Sequence, residues 1–176
     1  MGGNQVRRNK PRVLCLHGFR TSGEILKKMM GKWPHSVLNN FDFDFLDAPF
    51  PARGKSDVES LYDPPYYEWY QVNEIECVHF DECIACIEDY MIKHGPFDGL
   101  LGFSQGGMLA SVVPPMQREG AAFTSVPKIK FVIIISGFEL RELKSGPLET
   151  MLKFIEKIKE MFPQELETGL GLKSAL

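Results

Sequence analysis

Gly99-Leu100-Leu101-Gly102-Phe103-Ser104-Gln105-Gly106-Gly107 is the stretch that decides how this chain folds. An apolar run hands over to a helical pattern, and a G-x-S-x-G pentapeptide, Gly102 to Gly106, stands at the junction. Strand, sharp turn and helix in that order are the setting of a nucleophile elbow, where a serine sits on a strained turn and flanking glycines admit close backbone approach. The backbone N–H of Gln105, at the start of the following helix, would point where a tetrahedral oxyanion forms, and the helix dipole favours negative charge there.

Working outward, Val13 to Leu16 reads as a short strand that ends at His17-Gly18-Phe19. Thr21 with Glu24 forms a capping box ahead of a helix carrying Ile25, Leu26, Met29 and Met30. Phe41, Phe43 and Phe45 alternate with Asp42 and Asp44, the period of a half-buried strand, which closes at Asp47-Ala48-Pro49. Phe80, Cys83, Ile84, Ile87 and Met91 recur at helical spacing, with acids in the first turn, Lys93 and His94 in the last, and Gly95-Pro96 as the stop. The helix after Ser104 is expected over Gln105 to Val113, with Pro114-Pro115 breaking or kinking it, and Phe131 to Ser136 is a final β-branched strand.

Strands joined by helical crossovers imply an α/β fold, a mostly parallel sheet with helices on both faces. Active sites of such sheets lie at the strands' C-terminal ends, where both Ser104 and the His17-Gly18-Phe19 loop fall. The N–H of Phe19 is then the natural second oxyanion donor. Residues 49–78 are too long for a plain connection and read as a lid-like insertion. Its Tyr62, Tyr66, Tyr67, Trp69 and Tyr70 either line an acyl pocket or pack on themselves and the core.

The 176 residues are 44% apolar and 24% charged, which fits one soluble domain. A net charge of −3 gives no reason to expect a nucleic-acid partner, and Arg7, Arg8, Lys10 and Arg12 form a local cluster in a polar tail over residues 1–12. No apolar run has the length of a secretory signal or a membrane span, and Val6 stands where myristoylation wants Ser or Thr, so a cytoplasmic location, extending to the nucleus, is expected. Cys15, Cys77, Cys83 and Cys86 read as free thiols, because Cys83-x-x-Cys86 lies inside an amphipathic pattern. Gly18 to Gly23 has the glycine spacing of a phosphate loop, but Glu24 and Ile25 stand where Lys and Ser or Thr belong.

Leu16-His17-Gly18-Phe19-Arg20-Thr21-Ser22-Gly23, Asp63-Pro64-Pro65-Tyr66-Tyr67-Glu68-Trp69, Gly99 to Gly107 and Ile135-Ser136-Gly137-Phe138 together resemble the FSH-type serine hydrolase family in a plant-like version. The resemblance spans roughly residues 10 to 140. It implies a three-layer α/β-hydrolase-like fold and hydrolysis of small-molecule carboxylic esters or thioesters through an acyl-serine, with no cofactor and no metal. Ser104 matches the nucleophile, and Phe19 and Gln105 match the oxyanion-hole positions.

Two positions of that pattern have no counterpart, since no Asp and no His follows Ser104. Family members continue into further strands carrying the acid and then a Gly-His segment, so this chain is expected to lack the usual last strands. The core is placed at 13–142, and residues 143–176 form a divergent tail. The alternative reading is a truncated, catalytically impaired member that binds acyl ligands or partners. Among the histidines, His94 falls at the opposite sheet edge and His17 is a structural neighbour of the oxyanion loop, which leaves His79 as the candidate substitute base. In the tail, Leu148, Met151, Leu152, Ile155, Ile158 and Phe162 share one face of an amphipathic helix over 147–162. Self-association through the strand beginning at Phe131, left at a sheet edge, is a further expectation.

Overall fold

The computed structural model describes residues 10–72 and 77–135. The amphipathic helix expected over 147–162 and the end of the Ile135 to Phe138 motif lie outside the described residues. Four strands, β1 (Arg12–Leu16), β2 (Asp42–Leu46), β7 (Gly99–Phe103) and β8 (Phe131–Ile135), form one parallel sheet in the order β2-β1-β7-β8. Between them run α1 (Gly23–Met30), the short α2 (His35–Leu38), α3 (Phe80–His94) and α4 (Gln105–Glu119). The insertion after β2 contains β3 (Phe50–Pro51) paired antiparallel with β4 (Tyr67–Glu68).

The chain divides into two compact units, Met1–Trp69 with Phe80–Phe138, and Tyr70–His79 with Glu139–Leu176. The parallel sheet belongs to the first. In the second, the described residues are 70–72 and 77–79, which carry the antiparallel pair β5 (Gln71–Val72) and β6 (Cys77–Val78). Among the described residues no helix is long and apolar enough to cross a membrane.

The strand order reverses between β1 and β7. From β1 the chain crosses one way to β2, and from β7 it crosses the other way to β8, so right-handed connections put α1 on one face and α4 on the other. The side chains follow this division. Val13 and Cys15 of β1 and Leu101 of β7 pack with Leu26 and Met30 of α1, whereas α4 packs on β7, β8 and β1. Leu14, Leu16 and Leu100, alternating with the first set, are fully buried as well, which is why the central strands read as continuous apolar runs.

Two local expectations are corrected. Thr21 does not cap α1; its hydroxyl donates to the Gly18 carbonyl at 2.9 Å and its own carbonyl accepts from the Tyr67 N–H at 2.7 Å. With Thr21 held by the loop, Ser22 takes the extended cap conformation and its Oγ accepts from the Ile25 N–H at 3.2 Å. Nor does α4 stop at Pro114-Pro115. It runs on to Glu119 and closes on a left-handed Gly120. Each interior proline removes a helical hydrogen bond, but Val112, Val113 and Met116 are buried against the sheet, and that burial extends the helix beyond its propensity.

The sheet's N-terminal edge is tied by charge. Asp98 accepts the Arg12 N–H at 2.9 Å and the Lys130 ammonium at 2.6 Å, and these contacts hold its carboxyl below the usual range. The Arg12 guanidinium also reaches Asp42 and Asp44 and donates to the His94 carbonyl. Beyond α4, Gln117 organises the return to β8: Nε2 donates to the carbonyls of Phe123 and Pro127, and Oε1 accepts from the Ile129 N–H at 3.0 Å. Gln117→Ala is expected to lower the unfolding free energy by about 1–3 kcal/mol, read as a lower urea midpoint at unchanged slope.

Candidate active site at the carboxyl ends of the central strands

Ser104 occupies the single residue between β7 and α4. Its φ of 51° and ψ of −116° are strained for a residue with a side chain, and its N–H donates to the Ile135 carbonyl at 2.9 Å, which fixes the turn to the neighbouring strand. The hydroxyl makes no capping bond to α4, so the side chain is not consumed in ending the helix. The carbonyl of Ser104 accepts from the N–H groups of Gly107 and Met108, so α4 is wound from the turn itself.

This turn exists because backbone meets backbone. A Cβ on Gly102 would lie 2.2 Å from the Gly106 carbonyl oxygen, and a Cβ on Gly106 would lie 2.2 Å from the oxygen of Leu16. Neither neighbour is a side-chain tip that could swing aside. The same approach brings the loop after β1 against the turn: a Cβ on Gly18 would stand 3.0 Å from the Phe103 ring and 3.5 Å from Ser104 Cβ. Gly106→Ala is therefore expected to destabilise the fold by about 3 kcal/mol or more, seen as loss of soluble protein or a melting temperature lower by more than about 8 °C.

The loop itself is built around His17, which is fully buried. Its Nδ1 lies 2.8 Å from the Gly18 carbonyl and so carries the proton, and its Nε2 accepts from the Ala48 N–H at 3.0 Å. Both ring nitrogens are thus committed to the neutral form, and burial lowers the pKa to about 4 against the weaker pull of the Gly18 bond and Asp47. Such a ring orders a loop; it has no lone pair to offer a hydroxyl. Phe19, by contrast, is exposed, and the Arg20 guanidinium lies 4.7 Å over its ring. Arg20 itself has a left-handed φ of 51°.

Gln105 is buried, and its side-chain oxygen accepts from the Trp69 N–H at 3.2 Å. The structure therefore brings Ser104, Gln105 and the loop carrying Phe19 together at the carboxyl ends of β1 and β7. His94 stacks on Tyr90 at 4.2 Å beside Arg12, at the beginning of β1 and so at the opposite end of the strands. His79 belongs to the second unit, where it has a left-handed φ of 68°. The aromatic residues of the insertion divide: Trp69 is fully buried with its indole N–H on the His17 carbonyl, whereas Tyr62, Tyr66 and Tyr67 are half-buried, Tyr66 donating to the Tyr62 carbonyl at 2.6 Å. Cys83 donates to the Trp69 carbonyl, and burial pushes the thiols of Cys15 and Cys86 up, so these cysteines are poor nucleophiles.

Folding keeps His17 neutral down to about pH 4, whereas in the unfolded chain it takes a proton near its ordinary 6.5. Between these values the unfolded state binds more protons, so stability falls as pH drops through the window, by roughly 3 kcal/mol at most. Urea midpoints at pH 7.5 and pH 4.5 check this; in His17→Gln, that part of the pH dependence is expected to vanish.

The family model described as "Serine hydrolase (FSH1)" matches residues 6–168. A protein of Caenorhabditis elegans named Esterase C25G4.2 is 30% identical, the match covering 84% of this chain and 68% of the relative. A protein of Schizosaccharomyces pombe named Dihydrofolate reductase is also 30% identical, over 74% of this chain but 32% of its own length. The chain thus spans between a third and about two thirds of these relatives. The crystal structure of Arabidopsis thaliana SOBER1 aligns over 85% of this chain and 99% of that one, at 16% identity and a TM-score of 0.41.

Proposed function

Because the chain belongs to the serine hydrolase (FSH1) family, we propose that it acts on carboxylic esters or thioesters through an acyl intermediate on Ser104. The observation that carries this reading is the left-handed, strained Ser104 between β7 and α4, its hydroxyl not used as a helix cap. In the reaction, Ser104 Oγ bonds to the carbonyl carbon as its proton passes to a base. The N–H groups of Gln105 and Phe19 receive the developing oxyanion, and the alcohol or thiol leaves. Water then releases the acid and restores the serine.

The base is the missing part of this scheme. No Asp or His follows Ser104 within the 176 residues, and His17 is committed to Gly18 and Ala48. His79 remains the candidate substitute. Loss of the catalytic histidine costs a serine hydrolase about 10⁶ in turnover while binding groups and oxyanion donors retain about 10³ to 10⁴ over water. The 176-residue chain by itself is therefore expected to turn over esters weakly. That commitment of both His17 nitrogens favours a second reading, a protein that holds acyl ligands or a partner without chemistry.

A fluorophosphonate probe and a p-nitrophenyl ester series, applied to the chain and to Ser104→Ala, separate these readings. The expected result is slow adduct formation at Ser104, located by peptide mass spectrometry, and turnover far below the order of 10 s⁻¹ usual for enzymes. Ordinary turnover abolished by Ser104→Ala would overturn the impaired reading and make His79→Ala the next variant. A folded chain that never labels at Ser104 would overturn the acyl-serine scheme.

A further inference from the structure

We propose that Glu68, the last residue of β4, and Trp69 directly after it are positioning residues for the oxyanion hole, holding the loop that carries Phe19 and the start of α4 at one fixed separation. The inference rests on Ser104 being the nucleophile. The two donors expected to receive the oxyanion come from segments about 85 residues apart in sequence, Phe19 and Gln105, and no direct hydrogen bond between those segments is needed to hold them if a third element bridges them.

Trp69 is that bridge. Its backbone N–H donates to Gln105 Oε1 at 3.2 Å, while its indole N–H donates to the His17 carbonyl at 2.9 Å. One fully buried residue, through its main chain on one side and its indole on the other, therefore contacts both halves of the hole, and its ring lies 5.2 Å from the His17 ring. A bicyclic ring with two torsions has little freedom to give up, so the His17 side of the bridge is stiff. Cys83 Sγ donates to the carbonyl of Trp69 and holds the bridge from α3.

Glu68 performs the corresponding task on the other side of Phe19. Its carboxylate is buried, and Oε1 accepts from Arg20 Nε at 2.7 Å and from the Arg53 N–H at 3.0 Å. Arg20 is the residue whose left-handed backbone sets the direction of the peptide after Phe19, and Ser56 Oγ donates to its carbonyl at 2.6 Å. Tyr67, preceding Glu68, adds the bond from its N–H to the Thr21 carbonyl at 2.7 Å. Three consecutive residues, the two of β4 and Trp69 after it, thus fasten residues 17, 20, 21 and 105, and the exposed Phe19 ring carries the Arg20 guanidinium over it.

The test uses the full chain with Trp69→Phe, which keeps the buried ring but removes the indole donor, and Glu68→Gln, which keeps an acceptor for Arg20 but removes the charge. Fluorophosphonate inactivation is measured as a split between binding and the first-order labelling step. Amide resonances of Phe19 and Gln105 are followed by ¹⁵N NMR, with amides of β2 as the internal reference. Trp69→Phe is expected to slow the labelling step at least 10-fold with binding of the probe within twofold, and to move both site amides while the β2 amides stay in place. Glu68→Gln is expected to move the Phe19 amide and leave Gln105 unchanged. An unaltered labelling step, or site amides that do not move in folded Trp69→Phe, would overturn the proposal; should Trp69→Phe not fold, the Glu68→Gln amides decide it by the same criterion. If the wild-type chain is folded and Ser104 is never labelled, the nucleophile reading fails, while the amide shifts still decide whether Glu68 and Trp69 position the two segments.

Discussion

The contact on which the rest of this structure depends is the one between the first turn of α4 and the backbone of the two central strands. With a hydrogen in place of a side chain at positions 102 and 106, the helix settles onto the sheet at a distance that any Cβ would forbid. That approach carries three consequences at once. It forces Ser104 into a left-handed conformation, it sets the axis of α4 so that Leu109, Val113 and Met116 bury, and it brings the loop after β1 against the turn. Strain at one serine is the local cost of a packing arrangement that serves the whole sheet.

Around that contact the site is assembled almost entirely from uncharged groups. His17 is neutral and bonded through both nitrogens, Gln105 accepts a neutral hydrogen bond from Trp69, and Arg20 with the buried Glu68 carboxylate supplies the local ionic contact. In a buried setting each of these groups must find its partner or cost the fold a desolvation penalty, so the network has few alternative arrangements. Rigidity of this kind is what a pair of backbone donors requires, because an N–H aimed a fraction of an ångström away from a developing charge stabilises it far less.

The parallel α/β sheet, its strands, and the meeting of Ser104 with the Phe19 loop were legible in the sequence because each rests on local pattern. Apolar runs end at glycine-rich turns, and the rules of crossover handedness leave one place for both turns. What could not be read lies in contacts across long stretches of chain. Nothing near position 69 marks Trp69 as a partner of His17 and Gln105, since both bonds are made only once the insertion has folded back. The cap of α1 moved by one residue because Thr21 had a tertiary partner that local capping rules do not know, and Pro114-Pro115 failed to stop α4 because burial of Met116 outweighed two lost hydrogen bonds. The insertion's aromatic residues illustrate the same point, since composition could not choose between lining a pocket and filling a core, and Trp69 does the latter.

The two edges of the sheet are secured by different forces. Where the strands begin, Asp98 gathers the Arg12 N–H and Lys130, and the guanidinium of Arg12 lies among Asp42 and Asp44, all at a solvent-facing rim. Where they end, the fastening is largely dipolar and buried. Dissolved salt screens the first kind of contact and barely reaches the second. Among the described residues, ionic strength therefore acts unevenly on the sheet: it slackens the rim that carries Arg12 and Lys130, while at the end that holds the serine the ionic contact it meets is the Arg20–Glu68 pair, whose carboxylate is buried.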